Sequence, residues 1–168
     1  MPKIIENLPQ RLMEEARKQV CLQGYGATTI RSVANGCGVG VGTVYNYFPS
    51  KDALVAGFML EDWKLCLAAI EAQALQSPDP RDLCLCIHRQ LKEFSRKNQG
   101  LFRDQAAVAS FSAASTRYHG ILRSQLAKPL EAFCGSGFPA EFIAEGLLMW
   151  TMAGKDFDEI YGMIGKLF

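Results

Sequence analysis

The stretch from Thr28 to Leu54, TTIRSVANGCGVGVGTVYNYFPSKDAL, decides the reading of this 168-residue chain. Thr28 and Thr29 carry the hydroxyls that cap a helix start, and Val33 and Ala34 follow as its apolar positions before Gly36-Cys37-Gly38 breaks it. A second short helix fits Val41–Tyr47, stopped ahead of Pro49. Two short helices joined by a tight glycine turn make a helix-turn-helix. Val33, Ala34 and Val44 are its apolar pins and Val39 fills the turn. The exposed side then offers Thr43, Tyr45, Asn46 and Tyr47, whose hydroxyls and amide suit phosphate oxygens and base edges. Small Gly40 and Gly42 let the start of the second helix come close to a duplex.

Working outward, Ile5, Leu8, Leu12, Ala16 and Val20 recur at spacings of three and four, which predicts a helix over 5–22 closed at Gly24-Tyr25-Gly26. On the other side Ser50 caps a long helix that places Asp52 in its positive first turn and runs to about Gln76. Ser77-Pro78-Asp79-Pro80 is a boundary, followed by a helix over 81–97 and a stop at Asn98-Gln99-Gly100. Helices over 101–112 and 116–133 come next, the second bent near Pro129. After the loop Cys134-Gly135-Ser136-Gly137, Pro139 opens a helix to Ala153 and Asp156 caps a last one. No stretch alternates apolar and polar residues long enough for a sheet. The expectation is an all-α fold of about nine helices: an N-terminal three-helix helix-turn-helix domain over 1–49, and a helical effector-binding and dimerisation domain over 50–168.

Composition agrees with a packed chain. Apolar residues make up 49% and charged residues 21%, which excludes intrinsic disorder. The net charge of +1 hides an asymmetry. Residues 1–51 hold Lys3, Arg11, Arg17, Lys18, Arg31 and Lys51 against Glu6, Glu14 and Glu15, net +3, and the remainder is net −2. Residues 1–20 lack the apolar core of a signal peptide, and Leu147–Met152 is far too short for a membrane span. Six scattered cysteines read as free thiols in a reducing cytoplasm rather than a disulfide framework.

Chemistry finds little to stand on. Gly36, Gly38, Gly40 and Gly42 alternate, but no strand precedes them and no Lys-Ser/Thr pair follows, so a nucleotide-phosphate loop is excluded. Cys84-x-Cys86-x-His88 puts Cys84 and His88 on one helical face and turns Cys86 away, which argues against a shared metal. Gly135-Ser136-Gly137 lacks the strand and partners of a nucleophile elbow. The chain is expected to be no enzyme, with no cofactor, no metal and no membrane partner.

Through Thr29, Val33-Ala34, Gly38-Val39, Gly42-Thr43-Val44-Tyr45, Tyr47-Phe48 and Ser50-Lys51-Asp52-Ala53-Leu54 the sequence resembles the tetracycline-repressor (TetR) family of bacterial transcription regulators. The resemblance covers roughly the first third of the chain. It implies that Thr29 and Arg31 touch backbone phosphate, that Val41, Gly42, Thr43 and Asn46 face the major groove, and that Tyr45, Tyr47 and Lys51 hold flanking phosphates. The family commonly has Ser or Thr where this chain has Gly40, and a polar or basic residue where it has Val41, so charged base contacts are fewer here.

The resemblance further implies a small-molecule pocket among the middle helices, with Met59, Trp63, Leu67, His88, Leu91, Phe94, Phe102, Phe111 and Tyr118 as lining and a small apolar or aromatic effector as occupant. The last two helices are apolar beyond the needs of one core. Phe142, Leu147 and Trp150, with Phe157, Ile160, Tyr161 and Ile164, are therefore expected to pair two subunits on a double-stranded, palindromic operator. A ligand-responsive repressor acting as a homodimer is the reading. The alternative is a small-molecule-binding helical module with a vestigial helix-turn-helix and no role at DNA.

Overall fold

Helical spacing with caps at the breaks becomes eight α-helices in the computed structural model, which describes residues 7–168 apart from the side chains of 113–116. They are α1 (Leu8–Ala27), α2 (Ile30–Cys37), α3 (Val41–Tyr45), α4 (Lys51–Gln76), α5 (Pro80–Arg103), α6 (Gln105–Cys134), α7 (Phe138–Met152) and α8 (Phe157–Ile164), with a closing 3-10 turn over Gly165–Leu167. No strand occurs among the described residues. Ile5, expected at the head of the first helix, lies outside them.

Three boundaries differ from the sequence reading, each for a local reason. The stop expected at Asn98-Gln99-Gly100 is absent, and α5 continues to Arg103. The break falls instead at Asp104, whose Oδ1 accepts the Ala106 N–H at 2.9 Å and the Ala107 N–H at 3.1 Å, capping α6. From there one helix covers the two expected over 101–112 and 116–133, with Pro129 inside it. The reading helix ends at Tyr45 rather than Tyr47, although the Tyr47 and Phe48 N–H groups still bond to the Val44 carbonyl at 3.0 and 2.9 Å.

The chain divides into two compact units, one comprising residues up to Glu61 with Asn98–Ser112, the other Asp62–Lys97 with Ala113–Phe168. The division departs from the expected 1–49 and 50–168 because the first turns of α4 bury Leu54, Val55 and Phe58 in the first unit, where Leu101 and Ala107 join them. Leu12, Ala16, Val33, Ala34 and Val44 are fully sealed in the same core. Burying one such Leu or Val contributes roughly 1.5–3 kcal/mol. In the second unit the buried stripes Leu83-Ile87-Leu91, Leu126-Leu130, Ile143-Leu147 and Ile160-Ile164 run at four-residue spacing along α5, α6, α7 and α8. Two polar pairs lie in its interior: Trp63 Nε1 donates to Gln125 Oε1 at 2.7 Å, and His88 Nδ1 meets Thr151 Oγ1 at 2.8 Å. Burial lowers the His88 pKa, which keeps the ring neutral near pH 7.

Gly24 sets the exit from the straight part of α1, at φ 85° and ψ 163°, a conformation open essentially to glycine alone. A Cβ there would also lie 3.3 Å from Asp104 Oδ2. Gly24→Ala should therefore cost about 1–3 kcal/mol in a urea denaturation experiment. Gly26→Ala, where a Cβ meets nothing within 4 Å, should leave the midpoint unchanged or raise it.

Candidate nucleic-acid interface

Local rules build the helix-turn-helix. Thr29 Oγ1 accepts the Ser32 N–H at 3.0 Å while Ser32 Oγ accepts the Thr29 N–H at 3.0 Å, a capping box that starts α2. Gly38 ends α2 in the left-handed region, at φ 69°, and the Val39 N–H returns to the Ala34 carbonyl at 3.0 Å. Gly36 leaves room for the Glu15 side chain of α1, which a Cβ there would displace. Gly40 then opens α3 with no side-chain cap.

With Val44 fully buried as the pin of α3, the opposite face turns out. Gly42, Tyr45, Asn46 and Tyr47 are exposed, and Val41 and Thr43 are half-buried. Tyr45 and Tyr47 keep 52% and 49% of their surface in contact with solvent, which is uncommon for aromatic rings that serve a core. Phe48 packs against the core instead. Arg31 is exposed in the first turn of α2, and Thr29 is exposed with its hydroxyl oxygen engaged as the cap.

Lys51 stands differently from the other expected phosphate contacts. Its Nζ donates to the Tyr25 carbonyl at 2.9 Å and sits 3.8 Å from the Tyr25 ring centroid, so a phosphate has to compete with a carbonyl and a cation–π contact. Tyr25 is the node of a network that the sequence reading missed. Its phenol donates to Asp52 Oδ1 and its backbone N–H donates to Asp104 Oδ2 at 2.9 Å. Ser110 Oγ donates to Asp52 Oδ2 at 2.6 Å, and the Tyr25 ring meets Phe111 edge-on at 6.1 Å. The Ser110 and Tyr25 hydroxyls hold the Asp52 carboxyl below the ordinary carboxylate range. Backbone N–H groups, those of Ala107 and Tyr25 among them, do the same for Asp104. The sequence did hold a signal for Asp104, an Asp directly ahead of Gln-Ala-Ala at a helix start.

The other expected sets are distributed differently from the reading above. Of the pocket residues, Met59, Phe102 and Phe111 belong to the first unit, where Met59 and Phe111 pack on its core. Trp63, Leu67, His88, Leu91, Phe94 and Tyr118 belong to the second. There Trp63, His88, Leu91 and Phe94 are buried, Leu67 is half-buried and Tyr118 is exposed. Of the pairing residues, Leu147, Phe157, Ile160 and Ile164 are buried in the chain's own core and present no surface to a partner. Phe142 and Trp150 remain 52% and 56% exposed, and Tyr161 is half-buried against Phe157 and Phe168. Phe138, not anticipated, and Met149 are exposed with Phe142 along α7 at helical spacing.

All six cysteines are free, and among the described residues no three His, Cys, Asp or Glu side chains gather as a metal-ligand set. No helix of the described residues is long and apolar enough to cross a membrane.

Residues 12–57 match the family model for bacterial regulatory proteins of the tetR family. The HTH-type transcriptional regulator UidR of Escherichia coli K12 is 29% identical over 58 residues, which are 34% of this chain and 30% of that protein. The chain thus matches less than a third of the length of the curated relatives. The fold is shared much further. A TetR-family transcriptional regulator from Streptomyces coelicolor superposes with a TM-score of 0.69 at 13% identity, covering 95% of this chain and 99% of that one. A transcriptional regulator from Rhodococcus sp. Rha1 does so at 0.62 with 22% identity, covering 95% of both chains.

The Asp52 network makes a pH-dependent contribution of known sign. A carboxylate whose folded pKa is depressed stabilises fully above the unfolded value, near pH 4, and loses that stabilisation as pH falls through the folded one. Asp52→Asn should lower the urea midpoint at pH 7 and flatten its decline between pH 4 and pH 2. Tyr25→Phe should share part of the loss, so that the double variant falls short of the sum.

Proposed function

We propose that the chain, whose residues 12–57 match the family model for bacterial regulatory proteins of the tetR family, is a member of that family, a DNA-binding transcriptional regulator that occupies a palindromic operator as a homodimer and leaves it on binding a small effector. One observation carries the DNA reading. Val44 pins α3 from within, while Tyr45, Asn46 and Tyr47 stand in solvent with no side-chain hydrogen bond or ion pair among the described residues. Side chains of this kind, next to an exposed Arg31, have the reach and polarity to hold phosphates on either side of a groove.

A single helix-turn-helix reads too few base pairs for selectivity in a genome, and a two-fold dimer doubles the site. The exposed Phe138, Phe142 and Met149 on α7, with Trp150 beside them, support pairing through that helix. The second unit supports an effector role through its largely apolar interior, in which Asp62, His88 and Thr151 are the buried polar residues. The occupant is a small apolar or aromatic molecule. The helices α4, α5 and α6 contribute residues to both units, and α4 alone, with 26 residues, is ~39 Å long. An effector shifts the equilibrium only as far as it prefers one arrangement of these helices over another. Such a protein works in the cytoplasm, where its operator lies.

A second reading, a helical small-molecule binder that no longer uses DNA, is favoured by one observation: no Lys or Arg lies between Arg31 and Lys51. Salt separates the two. If the chain binds operator DNA, log Kobs should fall linearly with log[salt], and Arg31→Ala should reduce that slope by about 1. Arg31→Ala with Tyr47→Ala should weaken operator binding at least about tenfold, roughly one phosphate contact's worth each, with the helical circular dichroism unchanged. Phe142→Asp should shift the sedimentation coefficient towards that of the monomer. A salt-independent affinity would support the second reading.

A further inference from the structure

Resting on the reading of α3 as a major-groove helix, we propose that this chain recognises its half-site through an adenine held by Asn46 and a thymine methyl packed on the bare surface at Gly42 with Val41 at its edge, and not through guanine. The major groove shows each base a different set of partners. Guanine N7 and O6 take the two donors of Arg or Lys, adenine N6 and N7 take the donor and acceptor of Asn or Gln, cytosine N4 takes a carboxylate, and the thymine methyl takes an apolar surface.

The surface of α3 can be tested against that inventory. Residues 32–50 contain no Lys or Arg, and no Asp or Glu lies between Glu15 and Asp52, so neither guanine nor cytosine finds its usual partner here. The flanking cations are placed elsewhere. Lys51 is spent on Tyr25, and Arg31 belongs to α2, the helix that crosses the phosphate backbone in such motifs.

Asn46 carries the one side-chain amide of the α3 face. The residue closes α3 with its backbone, the N–H bonding to the Gly42 carbonyl at 3.3 Å, and its side chain is exposed with both amide functions left over. Tyr45 and Tyr47 on either side offer single hydroxyls on long arms, suited to phosphate oxygens rather than paired base edges.

Gly42 adds an independent observation. A Cβ there meets nothing within 4 Å, and the backbone is not left-handed, so neither packing nor geometry within the protein requires glycine. A helical glycine costs about 1 kcal/mol relative to alanine. The open space lies on the exposed face of α3 at Gly42, with half-buried Val41 and Thr43 on its two flanks. A thymine methyl fits that chemistry.

The test begins with full-length protein and selection from random duplex DNA, followed by base-analogue scanning of the selected site. Replacing one adenine per half-site with 7-deazaadenine, which lacks the N7 acceptor, should weaken binding roughly tenfold. The same analogue should cause no further loss in Asn46→Ala. Uracil in place of one thymine should weaken binding several-fold, and Val41→Ala should blunt that penalty. If 7-deazaguanine gives the large penalty, or Asn46→Ala responds to 7-deazaadenine like the parent, the base assignment is overturned while the regulator reading stands. If folded protein selects no sequence at all, the regulator reading itself falls and takes this inference with it.

Discussion

Tyr25 is the residue on which the first unit closes. One side chain and its peptide bring together the end of α1, the start of α4 and the start of α6: the phenol on Asp52, the N–H on Asp104, the carbonyl and ring on Lys51. Each contact satisfies a group that would otherwise be awkward. Asp104 already caps α6, and its second oxygen takes the N–H left over where Gly24 breaks the helical ladder. Asp52 receives two hydroxyls, and its charge is favoured by the helix start at which it stands. The helix-turn-helix is therefore mounted on charge-assisted bonds as well as on apolar packing.

Around that mount the unit separates polar groups by use. Several groups facing inward are paired: Thr28 Oγ1 on the Gly24 carbonyl, Gln19 on Ser32, Arg17 on the Phe58 carbonyl. The groups of α3 facing outward are not. A folded chain gains nothing from leaving large amphipathic side chains in water, and the exposed Tyr45 and Tyr47, at and just past the end of α3, are what the proposed DNA contact rests on. The orientation of α3 has a local origin too, since its one fully buried side chain, Val44, fixes which face the rest must present.

The parts of the fold that were legible in the sequence are those where one residue type answers one local need. Thr29 and Ser50 had to be caps because a hydroxyl precedes a helix start, and Gly38 had to close α2 because the turn needs a left-handed residue. The misplaced stop at Asn98-Gln99-Gly100 shows the limit of that logic. Glycine lowers helix stability by only about 1 kcal/mol, and the helix runs through it to a capping Asp104. Partners distant in sequence were not legible at all. Asp52 looked like a simple dipole complement, whereas its bonds go to Tyr25, 27 positions earlier, and Ser110, 58 positions later. For α7 and α8, spacing identified an apolar excess but not its direction. Leu147, Ile160 and Ile164 are buried in the chain's own core, leaving Phe138, Phe142, Met149 and Trp150 exposed.

The uncharged surface of α3 has a kinetic consequence for any encounter with a chromosome. Basic helices dwell on arbitrary sequence because counterion release rewards every phosphate alike, and this is what permits one-dimensional sliding. A helix whose contacts are hydroxyls, methyls and an amide gains little from arbitrary sequence. On the proposed DNA reading, any attachment to arbitrary sequence is left to cations outside α3, such as the exposed Arg31.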